Sequence, residues 1–305
     1  MKSIAIFTLL VTAIPCLAHA EMSGDVTLSY GQTKIDGLDD AIGTTFVGFS
    51  TQATLGSNVV AGVDLSFVRA STEIEGVDID ADLTGFGLDV AYRFDNGMSL
   101  GGYLQKNQLS ASVEDFDLFG NVSATSIGLL GGYSMEGLDA SAFVGQTTTD
   151  PDLEDTDIRD VGVAVRYKPS ESVVIGGNFL SSTVESGGDE LTLSAVGLAG
   201  GVSLSETWSL FAGLNQATLD GFEADMTSVG FGVGYQMPYF GATMFAEVSR
   251  STLSDDIDSV DLDTLRVGMS FPIGGKPTTV PKGTVAGGVL TDSYSSAAQA
   301  VRMTF

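Results

Sequence analysis

The sequence predicts an all-β fold, a transmembrane up-and-down antiparallel β-barrel, and three observations carry that expectation. Short stretches in which apolar residues alternate with small or polar ones recur along the chain. The connections between them alternate in kind, tight turns on one side and longer acidic segments on the other. The composition is also divided: 43% of the 305 residues are hydrophobic, yet 39 Asp and Glu face only 13 Lys and Arg, a net charge of −26. A fold that holds the two kinds of residue apart satisfies both. The same acid excess repels phosphate backbones, so nucleic acid is not an expected partner. Aromatic and β-branched residues along the whole length argue against disorder.

Residues 1–20 read as a secretory signal peptide. Lys2 supplies a short positive region, residues 4–17 an apolar run and Ala18-His19-Ala20 a small-residue cleavage site, so Glu21 is the expected first mature residue. The run is short for a membrane span. Cys16 lacks the usual small-residue box before a lipidated cysteine. Cleavage would remove Lys2 with the only His and the only Cys, leaving 12 basic against 39 acidic residues, a charge of −27. Zinc sites of His and Cys, and Ser-His or Cys-His catalysis, are then excluded. Export to an oxidising compartment would occur without any disulfide framework.

The strands come next. Phe86, Leu88, Val90, Tyr92 and Phe94 share one parity, with Gly87, Asp89, Ala91 and Arg93 on the other. Val161, Val163, Val165 and Tyr167 alternate with Gly162, Ala164 and Arg166, and Leu265, Val267, Met269 and Phe271 with Arg266, Gly268 and Ser270. Gly56-Ser57-Asn58, Asp95-Asn96-Gly97, Glu136-Gly137, Pro169-Ser170-Glu171, Ser205-Glu206 and Met237-Pro238 are hairpin-turn chemistries. The acidic connections lie at 72–82, 112–121, 150–160 and 251–259, with shorter ones at 36–40, 185–190 and 220–225. Between residues 21 and 271 this gives fourteen strands, with seven long loops at one end and six tight turns at the other. A transmembrane strand needs about 9–11 residues, and bacterial barrels pair short periplasmic turns with longer outer loops. Closure also removes the edges that many open strands would expose. The apolar parity would face lipid and the small or polar parity a wet lumen. Phe94, Tyr133, Tyr167, Trp208, Tyr235, Tyr239 and Phe271 gather at the tight-turn ends, where a periplasmic aromatic girdle belongs.

With its signal peptide, its mature start from Glu21 to Gly31 (EMSGDVTLSYG), its hairpin series and its terminal Phe, the chain resembles the bacterial outer-membrane porins, particularly the porin-like proteins of Gram-negative alphaproteobacteria. The likeness covers 21–271 in pattern, and no single motif is diagnostic. It implies an outer-membrane location, insertion by the barrel-assembly machinery, contact with outer-membrane lipid and lipopolysaccharide, and either a homotrimer or a monomer. A final Phe after alternating apolar residues resembles an assembly signal, and both Phe271 and Phe305 qualify. Fourteen strands ending at Phe271 are favoured, with 272–305 as a tail that lies in the periplasm, plugs the lumen or forms a short helix after Pro281. Sixteen result if 284–290 and 297–305 add a final hairpin, although Pro272, Pro277 and Pro281 make the link long for a turn.

The function implied is passive diffusion of small hydrophilic solutes and ions, with no reaction and no cofactor. Acidic outer loops would enrich cations at the mouth. General porins fold a third long loop inward, which here contains Glu114, Asp115 and Asp117 beside Phe116, Leu118 and Phe119. Arg93, Arg166 and Arg266 fall on the inward parity, so these six charged residues are the constriction candidates. A calcium reading of Asp150, Asp152, Glu154, Asp155 and Asp157 lacks the twelve-residue loop with its Gly and closing Glu, and solvated acids account for the segment. The rival reading is a non-conducting structural or adhesive barrel.

Overall fold

Period-two alternation places successive side chains on opposite faces of an extended chain. In the computed structural model, fourteen such stretches close into a single barrel. The structure describes residues 21–299 apart from 38–39, 75–76, 114–115, 152–155, 222–223, 256–257, 276, 292, 295 and 297–298. The strands are β1 (Glu21–Ile35), β2 (Ala41–Leu55), β3 (Val59–Ile74), β4 (Val77–Arg93), β5 (Met98–Val113), β6 (Phe116–Met135) and β7 (Leu138–Asp150). The second half contains β8 (Thr156–Ser170), β9 (Val173–Ser186), β10 (Asp189–Ser203), β11 (Trp208–Asp220), β12 (Ala224–Met237), β13 (Ala242–Ser254) and β14 (Ser259–Ile273). Each pairs antiparallel with its sequence neighbours, and β1 closes on β14 with Val26 opposite Phe271.

Closure decides between fourteen and sixteen strands. With β1 and β14 paired there is no sheet edge for a further hairpin to extend. Residues 284–290, one strand of the larger alternative, instead form a Thr284 cap and a short helix, α1 (Val285–Leu290).

The acidic connections are shorter than their composition suggests. β3 runs to Ile74 and β4 starts at Val77, so most of 72–82 is paired strand, with Arg69 opposite Asp82 and Ser71 opposite Asp80. Likewise Ser112 pairs with Asp117 and Val113 with Phe116, making the third connection an extension of the wall. The reason is alternation: Asp78, Asp80 and Asp82 share one parity while Ile79, Ala81 and Leu83 take the other. Strand hydrogen bonding tolerates acids on a solvent-facing row. The shortest strands have 13 residues and β6 has 20, each longer than a bilayer crossing requires. The acids sit on the part that projects beyond it.

The two faces differ sharply. Outward residues such as Leu100 (60% exposed), Ile127, Leu129 and Leu198 (63% each) form an apolar surface. Inward residues are hydroxyl-rich: Thr27, Thr33, Thr44, Ser126, Ser228 and Ser270 are all buried. An apolar cluster also lies inside the barrel, where Val174, Phe211 and Phe245 of the wall meet Val280 and Ala286 of the C-terminal segment.

Candidate functional site: the lumen and its resident segment

After Ile273 the chain turns at Gly274, whose φ of +62° suits glycine, and re-enters the barrel from the tight-turn end. Pro277 and Pro281 keep 277–283 from pairing with the wall. The Thr284 hydroxyl then accepts the Gly287 N–H at 2.9 Å and starts α1. α1 lies against inward glycines of four adjacent strands, Gly176 of β9, Gly197 of β10, Gly213 of β11 and Gly230 of β12. A Cβ on Gly213 would lie 2.6 Å from the Ala286 Cα, and one on Gly197 would lie 2.7 Å from a Val289 methyl. Bare wall positions therefore let the helix approach at backbone distance.

Polar contacts fix the segment from one end to the other. Lys282 Nζ lies 3.1 Å from Asp64 Oδ2 on β3. The Val285 N–H donates to Glu247 Oε1 at 2.9 Å, and the other Glu247 oxygen accepts from Arg266. Glu247 and Arg266 are direct cross-strand partners on β13 and β14, 1% and 4% exposed. Arg166 donates to the Leu290 carbonyl, and Asn178 Nδ2 to the Val289 carbonyl at 3.1 Å. Further on, the Tyr294 N–H donates to Gln105 Oε1 at 2.9 Å, and its ring stacks on Tyr103 with centroids 4.1 Å apart. Ser296 Oγ donates to Ser182 Oγ, which in turn donates to Asp160. Gln299 and Asn178 exchange side-chain hydrogen bonds at 3.3 Å.

Space remains beside the segment. A cavity of about 580 Å³ lies toward the tight-turn mouth, under Leu290 and Tyr294. A neighbouring cavity of about 200 Å³ shares Gln52, Asp89, Arg166, Leu290 and Tyr294 with it.

The constriction candidates are dispersed. Glu114 and Asp115 lie outside the described residues, and Asp117 is on β6 at the far end of the barrel from Arg93. Arg93 is exposed at the tight-turn mouth and lines the smaller cavity. Arg166 and Arg266 face inward and hold or support the C-terminal segment, so the structure does not bring the three arginines together with the third hairpin. The sequence reading missed Glu247, Asp64, Asn178 and Lys282. Their signal was inward parity on β13, β3 and β9, and a lysine within the proline-bounded tail. The seven girdle aromatics are all exposed, from Tyr235 and Phe271 at 37% to Tyr239 at 96%. Trp208 and Tyr235, directly paired across β11 and β12, have ring centroids 5.0 Å apart.

Opposite the girdle, Lys34, Arg69, Lys106, Arg159 and Arg250 face outward and are exposed. Arg69 pairs with Asp82 at 2.7 Å, Arg159 with Glu185 at 3.4 Å and Arg250 with Asp263 at 2.7 Å. Pairs this exposed are screened by water and add little to stability. Of the acids in the calcium reading, Asp152, Glu154 and Asp155 lie outside the described residues. Among the described residues no group of three or more His, Cys, Asp or Glu could hold a metal ion.

The fold and this internal segment define a class: a closed fourteen-stranded barrel of the outer-membrane type, with the described residues of 277–299 resident in its lumen. No protein-family model and no curated protein matches the sequence. Solved structures do resemble it. A Pseudomonas aeruginosa FadL homologue aligns with TM-score 0.55 at 10% identity, over 82% of this chain and 90% of its own. The TodX monoaromatic hydrocarbon channel, as its deltaS2 mutant, gives 0.54 at 9% identity over 83% and 90%. An anion-selective porin from Comamonas acidovorans gives 0.52 at 11% identity, over 83% and 99%. At such identities the likeness concerns the fold.

Proposed function

We propose that this chain is a porin-like channel of the outer membrane of a Gram-negative bacterium, passing small hydrophilic solutes and ions by passive diffusion with a preference for cations. The observation that carries the reading is the inner wall: a hydroxyl-lined lumen with charged, water-accessible space persisting beside the C-terminal segment. The acidic hairpin ends would lower the potential at the outer mouth and enrich cations there. On this reading residues 1–20 are a cleaved export signal, and Phe271 or Phe305 addresses the barrel-assembly machinery. The outward apolar band contacts lipid. The outward basic residues above it contact lipopolysaccharide phosphates, alone or through a divalent ion. The protein works as a monomer or a trimer. No reaction is assigned, since residues 21–305 contain neither His nor Cys.

The lodged tail favours a second reading, a structural or adhesive barrel that does not conduct. Planar-bilayer recording of the full chain in a potassium chloride gradient separates the two. Discrete conductance steps with a reversal potential favouring potassium are expected. A reversal potential favouring chloride would remove the cation preference. Silence from both the full chain and a chain ending at Ile273 would leave the structural reading.

A further inference from the structure

The larger cavity is electrically polarised across the barrel. Asp25 on β1, Asp64 on β3 and Asp89 on β4 line one arc, and Arg166 and Lys168 on β8 line the other. In a ring of fourteen strands β1 and β8 are seven steps apart in either direction, so Asp25 and the β8 cations face each other across the diameter. The C-terminal segment roofs the chamber and adds Lys282, which pairs with Asp64. Glu171 follows Lys168 at the β8–β9 turn and places one carboxylate on the basic side. Thr51, Gln52 and Gln105 complete a lining able to hydrogen-bond. A volume of about 580 Å³ suits a small molecule, since ligand sites commonly span about 300–1,000 Å³.

We propose that this chamber binds small zwitterions, molecules with an ammonium group at one end and a carboxylate at the other, such as ω-amino acids. The physical reason is opposition of charge. An ion of either sign gains from one arc and is repelled by the other. A zwitterion lying across the barrel gains from both, with its ammonium toward Asp25 and Asp89 and its carboxylate toward Arg166 and Lys168. The partly enclosed space screens these attractions less than bulk water does. Binding itself stands on the chamber alone; a role as the permeating solute class rests on the channel reading.

Isothermal titration calorimetry on the full chain in detergent at low ionic strength tests this with three molecules of one skeleton. These are 6-aminohexanoate, its amide (cationic only) and its N-acetyl derivative (anionic only). The zwitterion is expected to bind at least tenfold more tightly than either capped form, with the advantage shrinking as salt is added. In an Asp25→Asn/Asp89→Asn variant it should bind no better than the N-acetyl form, and in Lys168→Gln its advantage over the amide should fall. Retention of the heat-dependent gel mobility of a closed barrel confirms that each variant is folded. Equal affinity for the zwitterion and a capped form, or no binding of any of the three, overturns the proposal. So does an undiminished preference in the double aspartate variant. Conductance is recorded separately: a barrel that conducts without binding refutes the chamber, and one that binds without conducting refutes the channel.

Discussion

Replacing Gly213 by leucine should lift the C-terminal segment off the wall and raise single-channel conductance severalfold. The new Cβ would stand 2.6 Å from both the N and the Cα of Ala286, inside any real contact distance and against backbone that no rotamer change can move. The wall cannot yield either, because Gly213 is held in register between Ala199 and Gly230 on the adjacent strands. What gives way is α1, a six-residue helix with too few turns to persist without its tertiary contacts. Barrels tolerate substitutions on the lumen side, so the strand ladder should remain intact and the heat-dependent gel mobility unchanged. Gly288→Ala is the matching control, since a Cβ there meets nothing within 4 Å. Limited proteolysis provides a second readout: the tail should become cleavable in Gly213→Leu and stay protected in Gly288→Ala. Wild-type conductance together with a protected tail would show that the glycine contact does not hold the segment.

How much of this was legible in the sequence follows from the range of the interactions. Alternation over 86–94 and the Asp95-Asn96-Gly97 turn are local, and they specify β4, its turn into β5 and the facing of each side chain. The acid-rich connections are misleading because acidity in a sequence resembles loop character. Asp78, Asp80 and Asp82 in fact kept the strand period, and that period decided the structure. Parity alone placed Arg266 inward, but its partner Glu247 emerges only from the β13–β14 register, which no local pattern encodes. The lodging of the tail was harder still. Gly176, Gly197, Gly213 and Gly230 belong to four separate strands, and each alone reads as an ordinary small lumen residue. Only their assembly into neighbouring strands makes a track, and only the folded tail shows what the track receives. A single sequence contains the glycines without the adjacency that gives them meaning.

The largest stability effect is expected at Glu247. Its carboxylate joins three elements, accepting from Arg266 on β14 and from the Val285 N–H of α1 while standing on β13. Glu247→Ala leaves a guanidinium that is 4% exposed without its carboxylate, and it frees the Val285 N–H under the helix. Breaking a buried pair from one side typically costs about 3–5 kcal/mol, because the remaining charge is held away from water without its counter-ion. Glu247→Gln keeps an acceptor for Val285 but not the charge, so it should fall between Glu247→Ala and wild type. Substituting both members with methionine removes the stranded charge, and well-packed apolar pairs often match the ion pair they replace. The double variant should therefore recover most of the barrel's resistance to urea, read as the midpoint of the folded gel band in vesicles. It should not recover protection of the tail from protease, because the acceptor for Val285 is still missing. That split separates the two roles of one carboxylate: the ion pair fastens β13 to β14, and the hydrogen bond fastens the tail to the wall. A Glu247→Ala barrel as resistant to urea as wild type would mean that water reaches Arg266 in the lumen and that the pair adds little to the wall.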